Sequence, residues 1–384
     1  MSVAQTAGPN DHSLDAIADR ARRLVPQLAA EAAAHDETDR FVAGNYALLK
    51  QAGLIEAGVP EELGGAGATV RDLAEMLRLL AHGCSSTALA FSMHTHQVAI
   101  PAWRWRHQKV QAAEPLLRRV ARDRIILLSS GGSDWVGGSG EAVKVEGGYR
   151  ISGRKGFSSG SPLGDLLMTG AVLRGDDGDE VIHFAAPMQA AEVTVLDNWR
   201  ALGMRGTGSN DVVLDGLFVP DAGVAFKRRA GEWHPVFQII ATIAFPLVYA
   251  AYLGVAEKAR DIAIGIARGK LAGEDQLQLA GRMDRALRAA RLAHEWMIGV
   301  TERNAPSAES VNDVMLGRSL VAENAIRTVE LALELAGGTG FQRKHGLERL
   351  FRDIQGARFH PLQDGPQARY AGAMALGLPV ERIF

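Results

Sequence analysis

The fold of this chain is decided by the stretch Leu335-Ala336-Gly337-Gly338-Thr339-Gly340-Phe341, which is followed by Leu350-Phe351-Arg352-Asp353 and then by His360-Pro361. The glycines come directly after a long helical pattern that runs from Asn312 to Ala336. Pro361 stands nine residues after Arg352, and His360 precedes it. A proline side chain cannot accept a proton, whereas a histidine titrates near neutral pH. The chemistry of this segment must therefore be judged separately from its fold.

Length and composition indicate an enzyme with several packed units. A chain of 384 residues exceeds the size at which one core usually stops growing. With 47% hydrophobic residues, 22% charged residues and a net charge of −2, it can bury a large core and shows no basic excess for a nucleic acid. The one cysteine, Cys84, excludes an intrachain disulfide and gives no support for a metal site. No signal peptide and no uninterrupted apolar run of about 20 residues are apparent, which predicts a cytoplasmic protein without a membrane partner.

The chain divides into three blocks, predicted as residues 1–122, 123–228 and 229–384. The first block shows helical spacing of apolar residues. The second has short β-rich runs separated by glycine and aspartate, including a hairpin with Gly147-Gly148 as its turn. The third returns to long helical patterns. The predicted elements are helices at Phe41 to Lys50, Val70 to Leu80, Phe237 to Gly265, Glu274 to Glu302 and Asn312 to Ala336, and strands at 142–145, 149–152, 166–173, 181–186, 193–196 and 212–219.

The most specific motif is the string of residues 199–220, Trp199-Arg200-Ala201-Leu202-Gly203-Met204-Arg205-Gly206-Thr207-Gly208-Ser209-Asn210-Asp211-Val212-Val213-Leu214-Asp215-Gly216-Leu217-Phe218-Val219-Pro220. It resembles the segment that ends the β domain in the acyl-CoA dehydrogenase superfamily. The glycine-rich loop Val59 to Gly67 and the segment Leu335 to Asp353 resemble two further elements of that superfamily. The resemblance implies an α+β fold with an N-terminal helical domain, a middle antiparallel β-barrel or sheet, and a C-terminal four-helix bundle.

The resemblance also implies a flavin cofactor, FAD or alternatively FMN. The segment Ile151 to Gly160 is similar to the strand that holds the flavin ring. On that similarity the aromatic ring of Phe157 would pack on the flavin and the Ser159 hydroxyl would bond near its reactive nitrogen. Its Phe157-Ser158-Ser159-Gly160 form resembles the monooxygenases of the superfamily more than the dehydrogenases. The remaining residues implied as cofactor contacts are Ser133, Arg268, Glu334, Gly337, Gly338 and Gly340.

The catalytic glutamate of the dehydrogenases has no counterpart here, because the family spacing places Pro361 at its position. Monooxygenases of the fold use a histidine nearby, and His360 and His94 match such positions, each with a structural role as the alternative. Asp364 is a second possible base, displaced by three residues. Ser159 completes the candidate catalytic residues. His94 and His96 point to different sides of one helix, so no metal site is predicted.

Three functions remain open at this point. The residues favour a monooxygenase in which a reduced flavin and O2 oxidise a small organic metabolite, with the flavin reduced by a separate reductase. The second is a dehydrogenase of acyl-CoA or acyl-carrier substrates that uses Asp364 as base and an electron-transfer flavoprotein as partner. The third is a non-catalytic flavoprotein. The resemblance implies a homodimer or homotetramer in each case.

Overall fold

The computed structural model describes residues 15–131, 136–268 and 273–380, and its elements follow the predicted order of helices, strands and helices. The N-terminus of helix α3 (Val70–Gly83) shows how the local sequence stabilises the start of a helix. The Thr69 hydroxyl accepts a hydrogen bond from the Asp72 backbone N–H, and the Asp72 carboxylate accepts one from the Thr69 N–H. Two backbone N–H groups that have no acceptor inside the helix are thereby satisfied. The first five helices are α1 (Asp15–Glu37), α2 (Ala43–Gln51), α3 (Val70–Gly83), α4 (Ser85–Gln108) and α5 (Glu114–Asp123).

The middle of the chain forms one sheet in the order β6-β7-β3-β2-β4-β5-β8, with β1 paired to β4. Most neighbours are antiparallel, as expected, and β4 runs parallel to both β1 and β2, so the sheet is mixed. The strands are β1 (Leu127–Ser129), β2 (Glu141–Val145), β3 (Gly148–Lys155), β4 (Leu166–Leu173), β5 (Glu180–Pro187), β6 (Val193–Val195), β7 (Val212–Pro220) and β8 (Val224–Arg229).

The hairpin of β2 and β3 is present with its turn displaced by one residue. Val145 pairs with Gly148, which leaves Glu146-Gly147 rather than Gly147-Gly148 as the two turn residues. Gly147 has a φ of +73°, in the left-handed region that such turns require. Strands β1 and β8 were not predicted, because strands of three and six residues with two and three apolar side chains give little periodic signal.

The C-terminal part is built around helix α6. The long helices are α6 (Val236–Arg268), α7 (Glu274–Glu302) and α8 (Ala308–Ala336), and two short ones follow, α9 (Leu347–Ile354) and α10 (Asp364–Ala375). Where a four-helix bundle was expected, the described residues form three long helices and two short ones. Helix α6 packs against α3, α4, α7, α8 and α9, which makes it the centre of the molecule. We keep residues 122 and 228 as the proposed ends of the first two domains.

Helix α6 is also the one described helix that is long and apolar enough to cross a membrane. The sequence analysis expected no such segment, so that expectation was wrong. Ninety-four per cent of its most apolar window is buried inside the protein. Its apolar surface is thus used in packing against the neighbouring helices.

Candidate active site

His360 lies in the segment between α9 and α10, where it meets helix α6. A short 3₁₀ turn, Gln355–Arg358, brings the chain back over α6. The His360 Nε2 atom is 2.7 Å from the hydroxyl oxygen of Tyr252. The half-buried imidazole also lies against two tyrosine rings, with centroids 5.5 Å from Tyr252 and 6.3 Å from Tyr249. Sequence analysis did not find Tyr252, because 108 residues separate it from His360.

The backbone around His360 is fixed by a buried arginine of α8. Arg318 donates to the carbonyl oxygens of Ala357 (3.1 Å) and His360 (3.2 Å). The Tyr249 hydroxyl donates to the same Ala357 oxygen at 2.8 Å. Among the described residues, Arg318 has no acidic partner within ion-pair distance, and its Nε atom is buried without a hydrogen bond. A buried cation, held by two backbone carbonyl oxygens and by the Tyr249 ring, therefore stands beside the imidazole.

Electrostatics keep His360 neutral. Burial is the largest cause that lowers its pKa, and the positive charge of Arg318 and the nearby His96 lower it further, to about 3. His96 belongs to α4, where its Nδ1 atom donates to the Ser92 carbonyl oxygen at 3.0 Å. Burial lowers the pKa of His96 to about 4 against the opposing effect of that hydrogen bond. Both imidazoles are thus uncharged at neutral pH.

The hydrogen bonds of His94 fit the structural one of the two roles that the sequence left open. Its Nε2 atom donates to the Ile55 carbonyl oxygen (2.9 Å) and its Nδ1 atom accepts from the Leu127 N–H (3.0 Å). Its ring stacks on Phe91 at 5.4 Å. Both nitrogens are bonded to backbone groups, so neither is available to a substrate. The histidine of α4 that lies near His360 is His96, which sequence analysis did not choose because spacing alone cannot say which side of a helix faces the site.

Ser159 heads a chain of buried hydroxyl groups. The Ser159 and Ser209 hydroxyl oxygens are 2.7 Å apart, and Ser209 is again 2.7 Å from Thr207. The Thr207 hydroxyl donates to the Met204 carbonyl oxygen at 2.8 Å, which fixes the direction of the chain at that end. This chain connects the strand end after β3 to the motif of residues 199–220. Ser158 is separate from it, because its hydroxyl donates to the Lys155 carbonyl oxygen.

Phe157 presents an aromatic ring to the outside next to these hydroxyl groups. Its side chain is 65% exposed, and its φ of +54° turns the chain sharply there. One edge of the ring meets Trp199 at a centroid distance of 5.9 Å and an angle of 76°. An exposed, oriented aromatic face beside a polar chain fits the flat ring of a flavin.

In the glycine turn after α8, one position, Gly338, leaves space for a ligand or a partner chain. Gly337 has a φ of +59°, and a Cβ on Gly340 would lie 2.7 Å from the Cβ of Ala336, so local structure explains both glycines. Gly338 is exposed, and a Cβ there would meet no atom within 4 Å. Glu334 is exposed and pairs with Arg327 at 3.5 Å.

The other predicted residues are exposed at helix ends or lie outside the described part of the chain. Asp364 is the exposed first residue of α10. Arg268 is the exposed last residue of α6, directly before the gap at 269–272. Ser133 lies outside the described residues. Within the described ranges no group of three metal-ligating side chains occurs.

Helix α4 connects the two parts of the candidate site. The Met93 sulfur accepts a hydrogen bond from the Ser129 hydroxyl (3.6 Å) at the end of β1. The Gly131 N–H donates to the Gly156 carbonyl oxygen, which places this strand end beside Phe157. His96 follows Met93 by three residues and lies near His360. The region around Phe157 and the imidazole of His360 thus lie near the same segment of α4, which carries Met93 and His96.

Comparison with known proteins agrees with this arrangement. The family model described as "Acyl-CoA dehydrogenase, N-terminal domain" matches residues 11–118, and "Acyl-CoA dehydrogenase, C-terminal domain" matches residues 247–364, together more than half of the chain. The L-evernosamine nitrososynthase of Micromonospora sp. is 29% identical, with 92% of this chain and 88% of that protein covered. The p-hydroxyphenylacetate 3-hydroxylase oxygenase component of Acinetobacter baumannii is 23% identical, with 90% and 85% covered.

A solved structure extends the likeness to three dimensions. KijD3 in complex with FMN and dTDP-3-amino-2,3,6-trideoxy-4-keto-3-methyl-D-glucose superimposes with a TM-score of 0.86 at 27% identity, with 97% of this chain and 96% of that chain covered. The motifs, the order of the elements and these matches lead to one conclusion. The chain belongs to the acyl-CoA dehydrogenase superfamily and is a flavin-dependent oxidoreductase.

Proposed function

We propose that the protein is a monooxygenase that uses a reduced flavin, FAD or alternatively FMN, and O2 to oxidise a small amine-bearing or aromatic metabolite. The observation that carries the proposal is the neutral imidazole of His360, bonded to Tyr252, one residue before the position where the dehydrogenases have a carboxylate. The nitrososynthase and hydroxylase relatives support the same reaction class.

Different residues of this chain have separate proposed roles in binding the flavin and in handling a proton. We propose that Phe157 stacks on the flavin and that the Ser159 hydroxyl, backed by Ser209, bonds its polar edge. When bound, the flavin would supply the two electrons that reduce O2, so that one oxygen atom enters the substrate and the other leaves as water after taking up two protons. His360 would hold a proton near the reacting oxygen, and the buried rings of Tyr249 and Tyr252 would limit access of water.

The acyl-CoA dehydrogenase alternative has less support from the geometry. Its chemistry needs a carboxylate aimed at the α-carbon of a thioester. Asp364 is exposed at the start of α10, and Pro361 has no titratable group. The intact hydroxyl chain and the Tyr252–His360 hydrogen bond also speak against a non-catalytic flavoprotein.

Four further points belong to the proposal: the partner, the oligomeric state, the location and the flavin contacts. The relative described as an oxygenase component supports a separate flavin reductase as partner. We expect a homodimer or homotetramer, in which Gly338 would face a cofactor shared with a second copy. We also expect a cytoplasmic location. Phe157, Ser158, Ser159 and Glu334 are the proposed flavin contacts in the described part of the chain, with Gly337, Gly338, Gly340 and Arg268.

The test is incorporation of labelled oxygen. The purified protein, a flavin reductase, NADH and ¹⁸O2 are incubated with dTDP-linked amino sugars and with phenols, and products are analysed by mass spectrometry. The proposal predicts one ¹⁸O atom per product of an oxidation step, and loss of product when reductase is omitted. Product that carries oxygen from H2¹⁸O instead, or product formed under argon, would contradict it.

A further inference from the structure

The buried hydroxyl of Tyr252 and the half-buried imidazole of His360 form a hydrogen bond whose direction can be assigned. We propose that Tyr252 is a positioning residue whose O–H donates to His360 Nε2, so that the imidazole carries its proton on Nδ1 and presents an N–H donor to the reaction. The catalytic meaning of this inference rests on the proposed monooxygenase function. The hydrogen-bond assignment itself does not.

The direction of the hydrogen bond follows from counting donors and acceptors. Tyr252 is fully buried, and its hydroxyl has one hydrogen-bond partner among the described residues, the His360 Nε2 atom at 2.7 Å. If Nε2–H donated, the phenolic hydrogen would have no acceptor among the described residues, which is unfavourable for a buried group. If the phenol donates, its hydrogen is satisfied, and the imidazole proton lies on Nδ1, which is not among the fully buried unpaired atoms. Nε2 then carries the lone pair, and the one proton of a neutral imidazole must lie on Nδ1.

The space for the hydroxyl is built into the opposing turn. A Cβ on Gly356 would lie 2.7 Å from the Tyr252 hydroxyl oxygen, so any larger residue there would displace it. The backbone on the other side of His360 is held by Arg318 through the carbonyl oxygens of Ala357 and His360. The ring is thus fixed from α6 and its backbone from α8.

The second ring nitrogen is available for a ligand. His360 Nδ1 makes no hydrogen bond with any described residue and is not among the fully buried unpaired atoms. The groups that face the ring are Tyr249 and Tyr252 from α6, Arg318 from α8 and His96 from α4, and Asp353 of α9 acts on Tyr252. None of them lies within hydrogen-bond distance of Nδ1 as an acceptor. A substrate or oxygen species would therefore be the acceptor of the Nδ1–H group.

The pair defines what His360 can do. Release of the Nδ1 proton would leave either an imidazolate or, after transfer from the phenol, a tyrosinate. Burial, together with the neighbouring Tyr249 and Asp353 side chains, raises the pKa of Tyr252 well above its ordinary value, so the tyrosinate is disfavoured. His360 then acts by holding a proton in a hydrogen bond to the reacting oxygen, and solvent supplies the protons that form water.

The test reads the tautomer directly. The full-length protein is labelled with ¹⁵N-histidine, with and without oxidised flavin, and long-range ¹H–¹⁵N spectra distinguish protonated from unprotonated ring nitrogens. His360→Gln identifies the signal by its loss. We expect an Nδ1–H imidazole in the wild type and a mixture of tautomers in Tyr252→Phe. Tyr249→Phe is the matched control, because it removes a buried hydroxyl of the same helix that bonds Ala357 instead, and it should keep the wild-type tautomer.

A second variant covers the case in which Tyr252→Phe does not fold. Gly356→Ala should displace the hydroxyl and give the same mixed tautomers. An Nε2–H imidazole in the wild type would overturn the proposal. A tautomer that stays unchanged in every folded variant of this pair would overturn it as well.

The functional readout is the fraction of consumed NADH that appears as oxidised product. In Tyr252→Phe this fraction should fall about tenfold, the value of one hydrogen bond at the reacting oxygen, while KM for the substrate stays within about twofold. If the wild type shows the Nδ1–H tautomer but no oxygen incorporation, the proposed function fails and the Tyr252 assignment stands. If oxygen is incorporated but the tautomer is Nε2–H, the assignment fails alone.

Discussion

The Asp353 carboxylate accepts a hydrogen bond from the backbone N–H of Met204 at 2.6 Å, which joins helix α9 to the motif of residues 199–220. The two backbones touch beside this bond, since a Cβ on Gly203 would lie 2.2 Å from the Arg352 carbonyl oxygen. Arg352 in turn pairs with Asp36 of α1. The segment that carries His360 is therefore anchored on the same motif that carries the hydroxyl chain.

Loss of the Asp353 acceptor should destabilise the protein. Asp353→Ala would leave the buried Met204 N–H without a partner and should lower the free energy of unfolding by about 2 kcal/mol in urea titrations. Asp353→Asn keeps an acceptor oxygen and should cost less.

The pKa of Asp353 is raised to about 6, chiefly by burial. Because the folded state holds the proton more tightly, stability contributed by this group falls as pH rises from about 4 to about 6, and the Asn variant should lose that dependence. Equal free energies of unfolding for Asp353→Ala and Asp353→Asn would contradict the role of Asp353 as the acceptor for the Met204 N–H.

Glu257 of α6 should dominate acid sensitivity in the opposite direction. Burial alone would raise its pKa, but the hydrogen bond from His82 and the charges of Arg78 and Arg291 hold it at about 2. Its contribution is complete above the ordinary pKa of a glutamate and disappears as pH falls from about 4.5 to about 2. Glu257→Gln should cost about 3 kcal/mol at pH 7 and flatten this acid limb.

The control for Glu257 is a second carboxylate on the same arginine. Glu75 also pairs with Arg78, but its side chain is 37% exposed, so Glu75→Gln should cost no more than about 0.5 kcal/mol. Thermal unfolding between pH 3 and pH 8 compares the two. Similar losses in both variants would show that burial of Glu257 does not matter.

Removal of the Ser159 hydroxyl should affect the flavin more than the fold. Ser159→Ala takes away one member of the chain, while Ser209 keeps its bond to Thr207. We expect the Kd for flavin to rise about fivefold to tenfold in fluorescence titrations, because one hydrogen bond is lost. Ser161→Ala removes a nearby hydroxyl that donates to the Gly208 carbonyl oxygen and is not a proposed flavin contact, and it should bind flavin as the wild type does. The reverse order of the two variants would refute the assignment of Ser159.

Replacement of Phe157 should separate stacking from stability. Because the ring is 65% exposed, Phe157→Ala should change the thermal midpoint little. The loss of an aromatic stacking contact, about 1 kcal/mol, predicts about a fivefold higher flavin Kd. Phe218→Ala is a suitable control, since that ring is 42% exposed on β7. Unchanged flavin affinity in Phe157→Ala would place the flavin elsewhere.

Sequence patterns predicted the elements that have a clear period. The predicted strand 166–173 and helix Glu274–Glu302 coincide with β4 and α7. Strand β1 was missed, and the direction in which it pairs was beyond local reasoning, because its partner β4 begins 37 residues after it ends. The site shows the same limit. His360 was found from its place beside Pro361, but Tyr252, Arg318 and His96 reach it only through the packing of α6, α8 and α4.

The choice between oxygenase and dehydrogenase is tested most directly by anaerobic titration of the flavin-loaded protein with a panel of acyl-CoA thioesters, followed by the absorbance of the oxidised flavin. The arrangement of His360, Pro361 and Asp364 predicts that no thioester bleaches the flavin, while NADH with a reductase does so fully. Bleaching by a thioester that is abolished in Asp364→Asn would contradict the monooxygenase assignment and establish Asp364 as the base.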